Sequence, residues 1–124
     1  MSKRQEDLDD GIARMLDHND PDGEVITKVK LGLTRPVWTP STADLKLVEL
    51  ANDLATQLGQ PFRHESSGGG SDGNFTGAMG VPTLDGLGVA GDKYHTLEEH
   101  IEIDSLAMRG QMMAGLLMGI DAGF

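Results

Sequence analysis

The chain has 124 residues, a length that suits one domain and is too short for two complete ones. Ten Lys and Arg against twenty Asp and Glu leave a formal net charge of −10, so neither nucleic acid nor an anionic membrane surface is an expected partner. The absence of cysteine excludes disulfides and thiolate zinc sites. No apolar run could act as a membrane span or a signal peptide, and we therefore expect a cytoplasmic protein.

The first half of the chain predicts a helix, a strand, an extended connector and a second helix. Residues 5–18 carry apolar side chains at helical spacing, whereas residues 24–33 alternate as a strand does. Two prolines make residues 34–40 an extended connector, in which we place the boundary between two sub-structures. Residues 42–58 have helical periodicity, and Gly59 suits the C-terminal end of that helix.

The second half of the chain continues this alternation around a glycine-rich run. Residues 66–74 are rich in Gly and Ser, and they predict an ordered turn into a helix capped by Ser71 or Asp72 rather than a flexible linker. A strand over residues 81–87, a polar loop and a last helix from about Ser105 follow. The buried face of that helix is expected to contain Leu106, Met113, Leu116, Leu117 and Ile120. Alternating strands and helices predict an α/β fold.

Local spacing alone predicts no complete catalytic or metal site. Residues 86–91 match the glycine pattern of dinucleotide-binding folds, but residues 92–100 are too short and polar for the crossover which that pattern requires. His95 is the histidine best placed for a ligand, because it follows a buried strand and three glycines. The acidic and histidine residues around it lack any two-ligand helical spacing, whereas a zinc site needs three or four ligands.

Three linked motifs occur in order along the chain: SGGGSDGNF at residues 67–75, GVPTLDGLG at residues 80–88 and YHT at residues 94–96. Together they resemble the C-terminal signature of the two-zinc exopeptidases, the superfamily of glutamate carboxypeptidases, aminoacylases and succinyl-diaminopimelate desuccinylase. The resemblance covers roughly residues 30–120, and the final helix also resembles theirs.

The resemblance implies roles for six residues. It makes His95 a zinc ligand, and it places an arginine before a proline, here Arg35 before Pro36, against the substrate carboxylate. Arginine suits that role because its planar guanidinium matches the two oxygens of a carboxylate. The remaining substrate-binding residues implied by the resemblance are Gly69, Gly70, Ser71 and Asp72.

The resemblance also implies that the chain is a fragment. The family's other metal ligands, a His-x-Asp motif and further acidic residues, lie in an upstream region that has no counterpart here, as does the glutamate that acts as general base. Residues 1–37 would be the later part of a small α+β lid or dimerisation domain. Residues 38–124 would be the C-terminal strands and helices of the catalytic domain. We therefore predict no catalytic residue in this chain, at most weak zinc binding, and two zinc ions in the intact enzyme.

The resemblance predicts a zinc-dependent exopeptidase or amidohydrolase that removes a C-terminal amino acid or an N-acyl group from a small peptide or N-acyl amino acid. This chain alone is expected to be inactive. The alternative is a non-catalytic interaction or dimerisation module, in which an exposed edge at residues 24–33 pairs with another copy of the chain. A third hypothesis is an anion-binding domain that uses the glycine run at a helix start. An uncovered apolar face predicts self-association in either of the first two cases.

Overall fold

The computed structural model describes residues 4–121, and in this range helices dominate over a small sheet. The elements in chain order are α1 (Gln5–Leu16), α2 (Thr42–Leu58), α3 (Gly73–Ala78), β1 (Gly91–Asp92), β2 (His100–Ile101) and α4 (Ile103–Asp121). The two strands pair antiparallel, with Gly91 opposite Ile101 and Asp92 opposite His100. The mixture of helices and a sheet confirms the predicted α/β class.

The chain divides into two compact units that interleave along the sequence. The first unit contains the chain as far as Ser41 together with Ser66–Pro82, so it includes α1 and α3. The second contains Thr42–Glu65 and the chain from Thr83 onward, so it includes α2, the hairpin and α4. The predicted domain boundary between residues 37 and 38 stays a prediction.

The prediction of a strand over residues 24–33 is wrong. The segment begins in a bend that covers Glu24 and Val25, and Thr27 forms an isolated antiparallel bridge with Asp20. Next to the bridge, the side-chain amide of Asn19 accepts a hydrogen bond from the Val29 amide at 2.8 Å and donates one to the Val29 carbonyl at 3.2 Å. An alternating pattern becomes a strand only where a neighbouring strand pairs with its backbone. Here the bridge at Thr27 and the Asn19 side chain supply backbone hydrogen bonds in place of a neighbouring strand.

Residues 81–87 also form no strand, so that strand prediction is wrong for the same reason. The helix predictions are confirmed more closely. The helix predicted over residues 5–18 begins as predicted and ends at Leu16, two residues before the predicted end. The helix predicted over residues 42–58 matches α2 at both ends. Within the described residues 4–121, no helix combines the length and apolar character needed to cross a membrane.

Two glycines end helices in the same way. Gly59 follows α2 with φ +64°, and Gly80 follows the last residues of α3 with φ +81°, a region that glycine enters without steric cost. After each glycine, the next amide reaches back five residues to a helix carbonyl, at 2.8 Å from Gln60 to Ala55 and at 3.1 Å from Val81 to Thr76. This is the Schellman arrangement, and it confirms the predicted end of α2 at Gly59.

The core of the second unit lies between α2 and α4. Its buried apolar residues are Ala51, Ala55, Met112 and Leu116, with Leu50, Leu54, Phe62, Leu84 and Leu87 packed around them. The predicted face of α4 is largely wrong. Leu116 is buried as expected, but Met112 takes the place expected of Met113, and Leu106, Leu117 and Ile120 are exposed. In the described chain α4 packs on α2 along one narrow stripe, and its other apolar residues lie outside that stripe.

Candidate functional site

The arginine before the proline meets the glycine-rich loop within the first unit. Arg35 Nη2 lies 3.1 Å from Asp72 Oδ1, although the two residues are 37 positions apart in the sequence. The Arg35 side chain is 37% exposed and that of Asp72 is 91% exposed. An ion pair this exposed contributes about 0–1 kcal/mol, so another carboxylate could displace it at little cost.

The Arg35 guanidinium is only partly satisfied by this contact. Its Nε is buried and has no hydrogen-bond partner in the described part of the chain. Buried polar groups are nearly always paired, and leaving one unpaired costs about 1–3 kcal/mol. A buried donor is out of reach of a carboxylate from outside, so such a ligand would contact the exposed part of the Arg35 side chain, which is 37% exposed.

Asn74 connects the Arg35–Pro36 segment to the loop. Its side-chain nitrogen donates to the Pro36 carbonyl at 2.8 Å, and its side-chain oxygen accepts the Ser71 amide hydrogen at 2.9 Å. Both bonds are partly buried, so they are less exposed to competition from water than the Arg35–Asp72 pair.

The glycine-rich run is an ordered turn, as predicted. The Ser67 hydroxyl accepts the Gly69 amide hydrogen and the Ser71 hydroxyl accepts the Gly73 amide hydrogen, each at 3.0 Å. Ser71 therefore bonds the first amide of α3 from one residue before the cap position, and the predicted side-chain cap at that position is absent. Asp72 occupies the position before the helix but makes no side-chain cap, and its backbone is itself helical, with φ −70° and ψ −21°, unlike the extended backbone of a usual capping residue.

Trp38 packs against α3 at Gly77. A methyl group built on Gly77 would overlap the indole ring of Trp38, so only glycine allows this approach. With the contacts at Arg35 and Pro36, the connector touches the loop and α3 at three points. We call residues 35–38 and 71–77 together the clamp.

His95 lies in the second unit, on the loop between β1 and β2. Its side chain is exposed, and its backbone has φ +65°, which is uncommon for a residue other than glycine. Its amide donates to Glu99 Oε2 at 3.2 Å, four residues along the chain. Strained backbone of this kind persists only where the surroundings hold it, and it is frequent at functional sites.

The base of the hairpin is anchored to the start of α4 by Ser105. This buried hydroxyl donates to the Glu102 carbonyl at 2.6 Å and accepts the Ala90 amide hydrogen at 2.9 Å. The Glu102 amide in turn donates to the Ala90 carbonyl at 2.8 Å. Near the tip, Lys93 pairs with Glu98. The bonds among Ala90, Glu102 and Ser105 hold the two ends of the hairpin together, and His95 lies in the loop between them.

The donors around His95 do not make a complete zinc site. Across residues 4–121 no group of three or more His, Cys, Asp or Glu side chains is arranged to hold a metal ion. Zinc takes three or four protein ligands. The Glu99 carboxylate bonds the backbone amide of His95, not its imidazole ring. Within residues 4–121, His95 therefore belongs to no such group, and its role as a zinc ligand stays a prediction.

The structure therefore brings together part of the predicted set. Arg35 and Asp72 are in contact, Ser71 is joined to Pro36 through Asn74, and His95 belongs to the other unit. Sequence reasoning missed Asn74, although an Asn three residues after Ser71 could have been recognised as a side chain that bonds nearby backbone. It also missed Trp38 and Gly77, whose contact no local pattern indicates.

Comparison with known proteins assigns the family. Residues 7–119 match the model of peptidase family M20/M25/M40. The chain belongs to this family. It is 30% identical over 102 residues to carboxypeptidase G2 of Pseudomonas sp. (strain RS-16), a match that covers 81% of this chain and 25% of that protein.

A second relative is the uncharacterized protein YqjE of Bacillus subtilis (strain 168). It is 33% identical over 72 residues, which are 58% of this chain and 19% of YqjE. The chain thus spans about a fifth to a quarter of the length of these curated relatives. No solved structure matches the chain significantly. Family membership makes the chain part of a hydrolase family, in agreement with the resemblance seen in its motifs.

Proposed function

We propose that the chain forms the substrate-carboxylate and single-histidine part of a zinc-dependent exopeptidase or amidohydrolase, which cleaves a C-terminal amino acid or N-acyl group from a small amide. The observation that carries this proposal is the contact between Arg35 and Asp72, which brings the arginine before the proline to the glycine-rich motif. A guanidinium that already holds one exposed carboxylate is suited to exchange it for the carboxylate of a substrate.

In this proposal the clamp binds and orients the substrate, and His95 supplies one metal ligand. Gly69 and Gly70 leave backbone without side chains beside Ser71 and Asp72, which allows a substrate to approach closely. The other ligands and the general base would come from residues that this chain does not contain, within a longer protein. The chain alone is then inactive, and a cytoplasmic location stays a prediction.

Zinc stoichiometry and amide hydrolysis test this function together. The purified chain, His95→Ala and His64→Ala as a matched control are equilibrated with zinc, and bound metal per chain is measured by elemental analysis. A single imidazole predicts little tightly bound zinc in all three proteins and no release of an amino acid from N-acyl amino acids. Zinc-dependent hydrolysis by the chain alone, lost in His95→Ala, would contradict the proposal and show a complete site.

The second candidate is a non-catalytic module that associates with another copy of the chain. The observation in its favour is the exposure of large apolar side chains along the 24–33 segment, namely Val25, Ile26, Leu31 and Leu33. In the same unit, α1 and residues 29–32 line an open apolar groove of about 500 Å³. Apolar surface of this kind is typical of interaction sites.

A further inference from the structure

Asn74 bonds both chain segments of the clamp through their backbone groups. Its Nδ2 donates to the Pro36 carbonyl at 2.8 Å, and its Oδ1 accepts from the Ser71 amide at 2.9 Å. A carbonyl can only accept and a backbone amide can only donate, so these partners fix the orientation of the Asn74 amide. An aspartate could accept from Ser71 but would place an acceptor against the Pro36 carbonyl.

The Arg35–Asp72 contact is too weak to set the position of the arginine. Asp72 is almost fully exposed, and exposed ion pairs hold long side chains poorly. Within the described residues Arg35 Nε is buried without a partner, so no hydrogen bond at that atom orients the guanidinium either. The backbone at Pro36, one residue on, is by contrast fixed to the loop by the partly buried bond from Asn74.

We propose that Asn74 is a positioning residue that holds the Arg35 guanidinium beside the Ser71–Asp72 turn, ready to accept a substrate carboxylate. This inference rests on the proposed function of Arg35. Asn74 itself does not contact the carboxylate. Its effect is to keep the arginine and the loop at one separation before the ligand arrives, so that less order has to be created on binding.

The first measurement needs no ligand. In a ¹⁵N-labelled chain, solvent exchange of the Arg35 Nε hydrogen is measured by NMR for the unchanged protein, Asn74→Ala and Asn74→Asp. Because Nε is buried, its hydrogen exchanges with solvent slowly only while residues 35–38 stay packed against residues 71–77. Losing one or both Asn74 bonds should speed this exchange by about two- to tenfold.

Asn19→Asp is the matched control. Asn19 lies in the same unit and its amide also bonds backbone on both sides, accepting from the Val29 amide and donating to the Val29 and Leu16 carbonyls. It has the same chemistry away from the clamp, so Asn19→Asp should leave exchange at Arg35 Nε unchanged. Melting curves of all variants separate a local effect from general loss of structure.

The second measurement adds N-acetylglycine, with N-acetylglycinamide as the probe that lacks a carboxylate. We expect the Arg35 side-chain signals to shift with the acid only, and binding to weaken by about two- to tenfold in Asn74→Ala and Asn74→Asp. No shift in the unchanged chain would overturn carboxylate binding by Arg35, while the exchange rates still decide whether Asn74 positions it. Unchanged exchange in both Asn74 variants, or an equal rise in Asn19→Asp, would overturn the inference.

Discussion

Gly77 is the residue at which α3 and the indole ring of Trp38 come closest. Any side chain there would overlap the ring, so the absence of a β-carbon is what allows the connector to lie on this helix. Glycine inside a helix normally destabilises it by about 0.5–1 kcal/mol relative to alanine. At this position the cost is offset by the close packing of a large aromatic side chain.

Gly77→Ala is therefore expected to destabilise the first unit, although alanine favours the helix. The overlap with Trp38 should cost about 1–3 kcal/mol in free energy of unfolding, a typical cost of overpacking, and should change the emission of the only tryptophan. The measurement is denaturant unfolding followed by tryptophan fluorescence.

Gly110→Ala is the matched control for this change. Gly110 lies inside α4, and a methyl group added there would meet nothing within 4 Å, so the substitution should stabilise by about 0.5–1 kcal/mol. Helix content measured by circular dichroism reports this gain. Stabilisation by both substitutions, with tryptophan emission unchanged, would show that Trp38 does not pack on Gly77 in solution.

At the site, the sequence named two residues that the structure brings into contact, but it did not indicate how their segments are held together. Arg35 and Asp72 were both named from their motifs, and the structure places them in contact. Asn74 was not named, because its importance comes from bonds to Ser71 and to Pro36, and the second of these is 38 positions away. Long-range hydrogen bonds of this kind have no signal in local spacing.

Among the elements, the helix pair α2 and α4 carries the core of the second unit. Leu116 is 3% exposed and packs against α2, whereas its neighbour Leu117 is 62% exposed. Small residues of α4 also allow the helices to approach, since a methyl group on Gly115 would lie 3.0 Å from Leu54 Cδ2. The two adjacent leucines therefore differ in burial, although they are the same residue type, and only Leu116 belongs to the core.

Leu116→Ala and Leu117→Ala should differ sharply in stability. Emptying the buried position should lower the free energy of unfolding by about 2–5 kcal/mol, and in a small unit this could abolish folding. The exposed position should change it by no more than about 0.5 kcal/mol. Thermal melting followed by helix circular dichroism measures both, and equal losses would mean that the exposed leucine is covered in solution.

Helices were predictable from the sequence here and strands were not, for one physical reason. The hydrogen bonds of a helix are local, so the periodicity and the terminal Gly59 were enough to place α2. A strand depends on a partner elsewhere in the chain, and residues 24–33 find only the bridge at Asp20 and the amide of Asn19 within the described residues. The face of α4 was mispredicted because apolar residues surround most of that helix.

For the whole molecule, two opposing forces act between copies of the chain. Many large apolar side chains are exposed, including Leu33 at 80% and Leu117 at 62%, and burying them favours association. The formal net charge of −10 repels one copy from another. Which force dominates depends on salt, because screening shortens the reach of charge from about 30 Å at 0.01 M to about 3 Å at 1 M.

Self-association should therefore increase as salt is added. Sedimentation velocity at several protein concentrations, from low to high ionic strength, should show the average mass rising with both. Leu33→Ser should reduce the association at high salt without changing the melting curve, since Leu33 lies exposed on the 24–33 segment. Val48→Ser is the control for a loss of fold, because Val48 is half-buried in α2. It should lower the melting temperature, whereas Leu33→Ser should lower only the association. A mass that stays at one copy at every salt concentration would contradict association, and one that falls with added salt would show that charged contacts hold the copies together.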